Sequence, residues 1–133
     1  MDASSPAKGL PRSRRIKQGR DFARAKAEGN RLAQGCLILN WLVLAPGASS
    51  RVGVITSRRI GDAVTRSRAR RLLREAFRLH QDSLRQPVDM VLVARASIVG
   101  KTYAAVALDF VSALRKAHLL RETPGPPRQA GAN

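Results

Sequence analysis

Residues 51–80 read RVGVITSRRIGDAVTRSRARRLLREAFRLH, and the fold turns on how this stretch divides. Its first seven residues, Arg51 to Ser57, alternate small or charged with apolar residues, the period of a strand. Gly61-Asp62 then breaks the pattern, and Asp62 is a good helix N-cap because its carboxylate accepts backbone N–H bonds. With Asp62 as origin and ~100° per residue, Thr65, Ala69, Leu72, Leu73, Ala76, Phe77 and Leu79 share one arc. A helix to about His80 follows. Arg66, Arg70, Arg74 and Arg78 succeed one another at i, i+4 along one edge of the arc, with Ser67 and Arg71 on the outer face and Glu75 placed away from the ladder. Like charges at that spacing cost a helix ~0.2–0.5 kcal/mol per pair. An ordinary solvated face mixes signs, so this one-sided ladder predicts an anionic partner. Arg58 and Arg59 carry the charge onto the strand-to-helix connection, and the free N–H groups from Asp62 to Thr65 are expected to offer a phosphate further donors.

The rest of the chain supports that partner. It has 133 residues, 25 Lys+Arg against nine Asp+Glu, a formal charge of +16 and a pI near 11.8. Such imbalance calls for a polyanion: nucleic acid, an anionic membrane surface or an acidic protein. Only Lys8, Lys17, Lys26, Lys101 and Lys116 are lysines. Arginine's planar fork suits phosphates and bases, which favours nucleic acid. No apolar run reaches the ~18 residues of a membrane span, and the polar, basic start lacks a secretory core, so a cytoplasmic location is expected. Cys36 has no second cysteine to pair with and sits in an apolar strand, where it reads as a small buried residue.

Residues 1–14 read as a flexible basic arm, 15–120 as the folded domain, and 121–133, with three prolines and two glycines, as a disordered tail. Gly19 to Glu28 reads as a short helix with Phe22 and Ala25 at helical spacing, capped by Gly29 and Asn30. Leu32 to Leu44 is β-rich, with a turn or bulge at Gly35. Residues 46–50 are a turn, and Arg51 to Ser57 is expected to form an antiparallel hairpin with the strand before it. Pro87 to Arg95 is a buried strand. Thr102 to about Leu119 is a second long helix with Val106, Phe110, Val111 and Leu114 on one side. The order α-β-β-β-α-β-α indicates an α+β sandwich with its helices on one face of a mixed sheet.

No catalytic constellation stands out. The acids are scattered, His80 reads as a packed or capping residue, and there is no phosphate-binding glycine loop. A non-enzymatic ribosomal or chromatin-like binding protein is therefore the main alternative on composition. A helix-turn-helix reader of DNA would need a short helix before the recognition helix, where this chain has a strand.

The block SRRIGDAVTRSRARRLLREAFR resembles the signature of the bacterial ribonuclease P protein subunit. Gly61, Ala63, Val64, Arg66, Arg68, Arg70, Arg71, Arg74 and Glu75 match that pattern, while Asp62 and Ser67 stand where the family has asparagine. RIKQGRDFARAKAEG, RVGVITS and VDMVLVAR resemble the family in order and spacing, so the likeness covers about residues 14–120. It implies a four-stranded mixed sheet with a left-handed βαβ crossover through the arginine helix, a fold of the ribosomal protein S5 domain 2 type. It implies binding to a catalytic RNA and to precursor tRNA, and assistance in removing the 5′ leader, with magnesium held by the RNA and no cofactor held by the protein alone. It assigns RNA contacts to Arg58, Arg59, Arg66, Ser67, Arg68, Arg70, Arg71, Arg74 and Arg78, and a leader cleft to the sheet and first helix. Phe22, Lys26 and Trp41 are the candidates there. Phe22 can stack a base or only pin its helix; Trp41 can serve the cleft or the core.

Overall fold

The computed structural model describes residues 14–16 and 19–121; the expected arm and tail, apart from Arg14 and Arg121, lie outside the described residues. The elements are α1 (Gly19–Glu28), β1 (Asn30–Gln34), β2 (Leu37–Val43), β3 (Arg51–Ile55), α2 (Ala63–His80), β4 (Val88–Ala94) and α3 (Tyr103–Lys116). They form one four-stranded sheet in the order β1-β2-β4-β3.

That order corrects the expected β2–β3 hairpin. β3 pairs parallel with β4, Arg51 opposite Asp89 through Ile55 opposite Val93. β4 also pairs antiparallel with β2, Leu37 opposite Ala94 through Val43 opposite Val88. The reason lies in composition. VDMVLVA is apolar on both faces apart from Asp89, and only a central strand buries both faces. β3 goes to the edge and α2 becomes the crossover that carries the chain from β3 to β4.

The helices also lie on both faces rather than one. Side chains of successive strand residues alternate between faces. Met90, Leu92 and Ala94 of β4 join Val52, Leu73, Phe77, Phe110 and Leu114 in the main core beneath α2 and α3. Val91 meets Ile16, Ala25, Phe22, Ile55 and Val93 in a smaller cluster beneath α1. Asp89, on the α1 side, is only 3% exposed. Arg51 donates to its two carboxylate oxygens at 2.9 and 2.6 Å and reaches Asp21 of α1 at 3.6 Å. One guanidinium thus links β3, β4 and α1.

Tight local features hold the frame. Asp62 caps α2, accepting the Thr65 N–H at 2.9 Å, and Thr102 caps α3 by accepting from Ala105. The β1–β2 turn needs Gly35 at φ 55°, and a side chain there would strike the Asp109 carboxylate. That carboxylate accepts the Cys36 N–H at 3.0 Å. Burial, reinforced by Asp109, pushes the Cys36 thiol up to about 12. Leu79, placed in the core arc by the wheel, is 52% exposed. It lies at the arc's margin beside half-buried Leu72.

Candidate nucleic-acid interface

The arginines of α2 divide into groups that a helical wheel only partly separates. Rows at i, i+4 advance ~40° per step, because 400° exceeds one turn by that amount. Arg66 and Arg70 therefore start beside the core arc, half-buried on the β3 side. Arg66 donates to the Gly61 carbonyl at 2.7 Å. Arg70 donates to the Thr56 hydroxyl at 2.7 Å and to the Ser67 hydroxyl at 3.1 Å. Both guanidinium groups are oriented by hydrogen bonds to neutral oxygens, and Arg66 also feels the Asp62 carboxylate one turn back. Arg74 comes next, and burial together with the charges of Arg15 and Arg70 lowers its pKa from the ordinary arginine value.

Arg78 ends the ladder differently. It donates to both oxygens of Glu75 at 2.9 and 2.6 Å, and that bond is the main cause holding the Glu75 carboxyl below its usual range. Glu75 is therefore not away from the ladder: it sits at i−3 from Arg78 and neutralises its last rung. Arg68 falls on the opposite margin of α2 and donates to the Lys101 carbonyl at 2.9 Å. Ser67 and Arg71 are exposed on the outer face, and Arg58 and Arg59 are exposed in a single 3-10 turn before α2. The α2 N-terminus is no open anion site. The Asp62 carboxylate occupies the Thr65 N–H, which in turn lowers its own pKa.

Beside this ridge runs a slot of about 200 Å³ lined by Arg15, Ile16, Phe22, Val52, Gly53, Val54 and Arg74. Arg15 and Ile16 lie along the free edge of β3, where the Ile16 N–H donates to the Val52 carbonyl at 2.8 Å. The half-buried Phe22 ring rests on Gly53, where any side chain would collide with it. The slot thus joins one aromatic ring to two guanidinium-bearing residues. Lys26 is exposed and does not line it. Trp41 packs against the main core on the opposite face of the sheet, so the structure does not bring it to Phe22. Sequence reasoning missed Arg15 here. The only signal was its place next to an apolar residue that could add to a strand edge.

His80 Nδ1 lies 2.8 Å from the Ala76 carbonyl and its ring meets Phe110 edge-on, a packed helix-end residue. Among the described residues, no group of three or more His, Cys, Asp or Glu is placed to hold a metal, and no helix is long and apolar enough to cross a membrane.

Comparison with known proteins agrees with this geometry. The ribonuclease P family profile matches residues 10–118. The ribonuclease P protein component of Desulfovibrio desulfuricans is 37% identical over 119 residues, covering 87% of this chain and 90% of the relative. That of Gluconacetobacter diazotrophicus is 34% identical, covering 80% and 92%. In fold, the chain is similar to the Staphylococcus aureus RNase P protein, with a TM-score of 0.73 at 24% identity over 81% of this chain and 98% of that one. The Thermotoga maritima RNase P protein gives 0.68 at 23% identity, over 77% and 96%. With a matching profile across most of its length, relatives above 30% identity over nearly all of theirs, and the shared fold, the chain belongs to the ribonuclease P protein family.

Proposed function

We propose that this chain is the protein subunit of a ribonucleoprotein ribonuclease P. It binds the catalytic RNA through α2 and the 5′ leader of precursor tRNA through the slot at the β3 edge. It thereby assists endonucleolytic removal of the leader. The observation that carries this reading is the row Arg66, Arg70 and Arg74. The first two are held by neutral oxygens, and the Arg74 pKa is lowered by burial and then by the charges of Arg15 and Arg70, with no acid matching it. Three adjacent cations left in that state favour a phosphate backbone as partner. Arg71, Arg58 and Arg59 extend the surface, while Arg78 contributes less because Glu75 already holds it.

The slot suits a single-stranded nucleotide: a base against Phe22, with phosphate near Arg15 and Arg74. Stacking on one ring is worth ~1–3 kcal/mol and is tolerant of sequence. Magnesium, bound by the RNA, supplies the chemistry of phosphodiester hydrolysis. The protein's part is to hold RNA in place and offset its charge, in the cytoplasm.

The decisive experiment combines the purified chain, its cognate catalytic RNA and precursor tRNA at low magnesium. Stimulated leader removal, with no cleavage by protein alone, is the expected result. Robust cleavage by the protein alone, or no stimulation, overturns the proposal. A ribosomal-type RNA-binding protein would bind RNA and leave cleavage unchanged.

A further inference from the structure

At the far end of α2 from Asp62 lies a second, polar hollow of about 300 Å³, lined chiefly by Arg14, Ser50, Gln81, Asp82, Arg85 and Arg121. Backbone bonds build it. The Arg85 N–H donates to the Leu119 carbonyl at 2.9 Å and the Arg121 N–H to the Ser83 carbonyl at 2.6 Å. Leu84 and Leu120 bridge between them, and buried Leu84 and Leu119 anchor both segments in the core. This clamp sets Arg85 opposite Leu119 and Arg121 opposite Ser83, at diagonal corners on the same face of a short antiparallel ladder. From across the hollow, Arg14 donates to the Gln81 side-chain oxygen at 2.8 Å and to the Ser50 carbonyl at 3.3 Å. Three arginines face one acid, Asp82. Among the described residues, no carboxylate pairs with Arg85 or Arg121.

Slot and hollow are linked through consecutive residues of the segment before α1. Arg15 lines the slot and Arg14 the hollow, one residue, or ~3.8 Å of backbone, apart. A strand of RNA lying along the β3 edge past Phe22, Arg74 and Arg15 is carried next to Arg14. We infer that the Arg14–Arg85–Arg121 hollow is a phosphate-binding station for the single-stranded leader, taking its backbone beyond the nucleotides held at Phe22. The chemistry is charge without stacking, since no aromatic residue lines the hollow, so the station reads leader length and not leader sequence. This inference rests on the reading of the slot as the leader path.

The test uses the holoenzyme, full chain with catalytic RNA, and precursors whose leaders lengthen one nucleotide at a time. Wild type is compared with Arg85→Ala/Arg121→Ala and with Arg85→Lys/Arg121→Lys. Neither guanidinium makes a described hydrogen bond, and the clamp uses backbone atoms, so both variants should keep the wild-type melting temperature. In wild type, affinity rises as the leader outgrows the slot. The alanine variant should lose that increment, about fivefold per missing contact. Its salt slope for long leaders alone should fall by about 0.7 per phosphate. The lysine variant should recover most of it. Equal losses for all leaders, or weaker binding of the catalytic RNA itself, overturn the inference by giving the hollow another role. A length increment that survives in the alanine variant overturns it while the slot reading stands. If wild type shows no dependence on the leader at any length, slot and hollow fall together.

Discussion

The double substitution Arg66→Ala, Arg70→Ala tests the ridge most directly. Its structural cost follows from the observed bonds. Arg66 loses the Gly61 carbonyl and Arg70 the Thr56 and Ser67 hydroxyls. Hydrogen bonds of this kind are worth about 1 kcal/mol net. Two like-charge pairs, Arg66–Arg70 and Arg70–Arg74, vanish and return ~0.2–0.5 kcal/mol each. Three such bonds less the repulsion returned leave a net loss of about 2 kcal/mol, which lowers the melting temperature by roughly 10 °C and leaves the domain folded. The effect on RNA is larger. Each phosphate contact contributes about 0.7–0.9 to the salt slope, so two contribute about 1.6. Between about 50 and 200 mM salt, a fourfold change, the variant's deficit should shrink about tenfold. The assay is filter binding or fluorescence anisotropy with the catalytic RNA across that range. Arg78→Ala is the internal control, because Glu75 already matches that charge, and its slope should change much less. A folded double variant with unchanged affinity and slope refutes the ridge. A loss of affinity with an unchanged slope refutes its action through phosphates.

Three further outcomes follow from particular groups. Asp62→Asn keeps a capping side chain but removes a negative charge from the RNA side of α2, so RNA should bind about two- to fivefold tighter at low salt; weaker binding contradicts this. The Asp62 pKa is lowered in the folded state, so its cap is at full strength above the free carboxyl's value and is lost as pH falls through the folded one. Asp89→Asn leaves Arg51 facing a neutral amide in a nearly closed site and should cost about 2–3 kcal/mol in urea unfolding, discounted for the partial exposure of Arg51; a loss below ~0.5 kcal/mol removes the structural role given to the pair. With its thiol near 12, Cys36 is about one part in ten thousand thiolate at pH 8, so alkylation should track unfolding. Because the folded state holds that proton more tightly, stability should fall by up to about 1.4 kcal/mol per pH unit above the free thiol's value.

What the sequence could show depended on the range of the interaction. The helices α1 and α2 were legible because capping and 3.6-residue periodicity act within a few residues: Asp62 does cap Thr65, and Ala25 is buried as its spacing implies. Strand order was not legible in the local pattern, although the family resemblance, with its βαβ crossover through α2, carried the β3–β4 part of it. A hairpin between β2 and β3 satisfies every local rule, and only the demand of β4 for two buried faces puts it between them. The same non-local choice decides the slot. Phe22 and Trp41 are both aromatic residues near a sheet, yet alternation along β2 and β4 sends Trp41 to the α2 and α3 side. Glu75 pairs with Arg78 because i, i+3 and i, i+4 neighbours are both within reach on a helix, and spacing alone does not rank them.

The partners chosen for the ridge arginines govern how they can serve RNA. An arginine paired with a carboxylate must give up that bond, or drag a negative charge to the interface, before it meets a phosphate. Arg70 instead rests on two hydroxyls, and a guanidinium has five N–H donors, so three remain for RNA. The Thr56 hydroxyl therefore sets direction without touching charge, which separates two quantities usually lost together. Thr56→Val keeps the shape of the side chain and every cation, and removes only that acceptor. Arg70 should then sample more rotamers and spend about 0.5–1.5 kcal/mol more on being ordered when RNA binds. That is a loss of roughly two- to tenfold in affinity at every salt concentration, with a slope parallel to wild type. The measurement is the same titration against catalytic RNA, with Thr56→Ser, which retains the hydroxyl, restoring binding. A changed slope would mean that Thr56 contacts the RNA's ionic atmosphere itself. Wild-type affinity in Thr56→Val would mean that Arg70 needs no holding, and that the hydroxyl bond is a feature of the free protein alone.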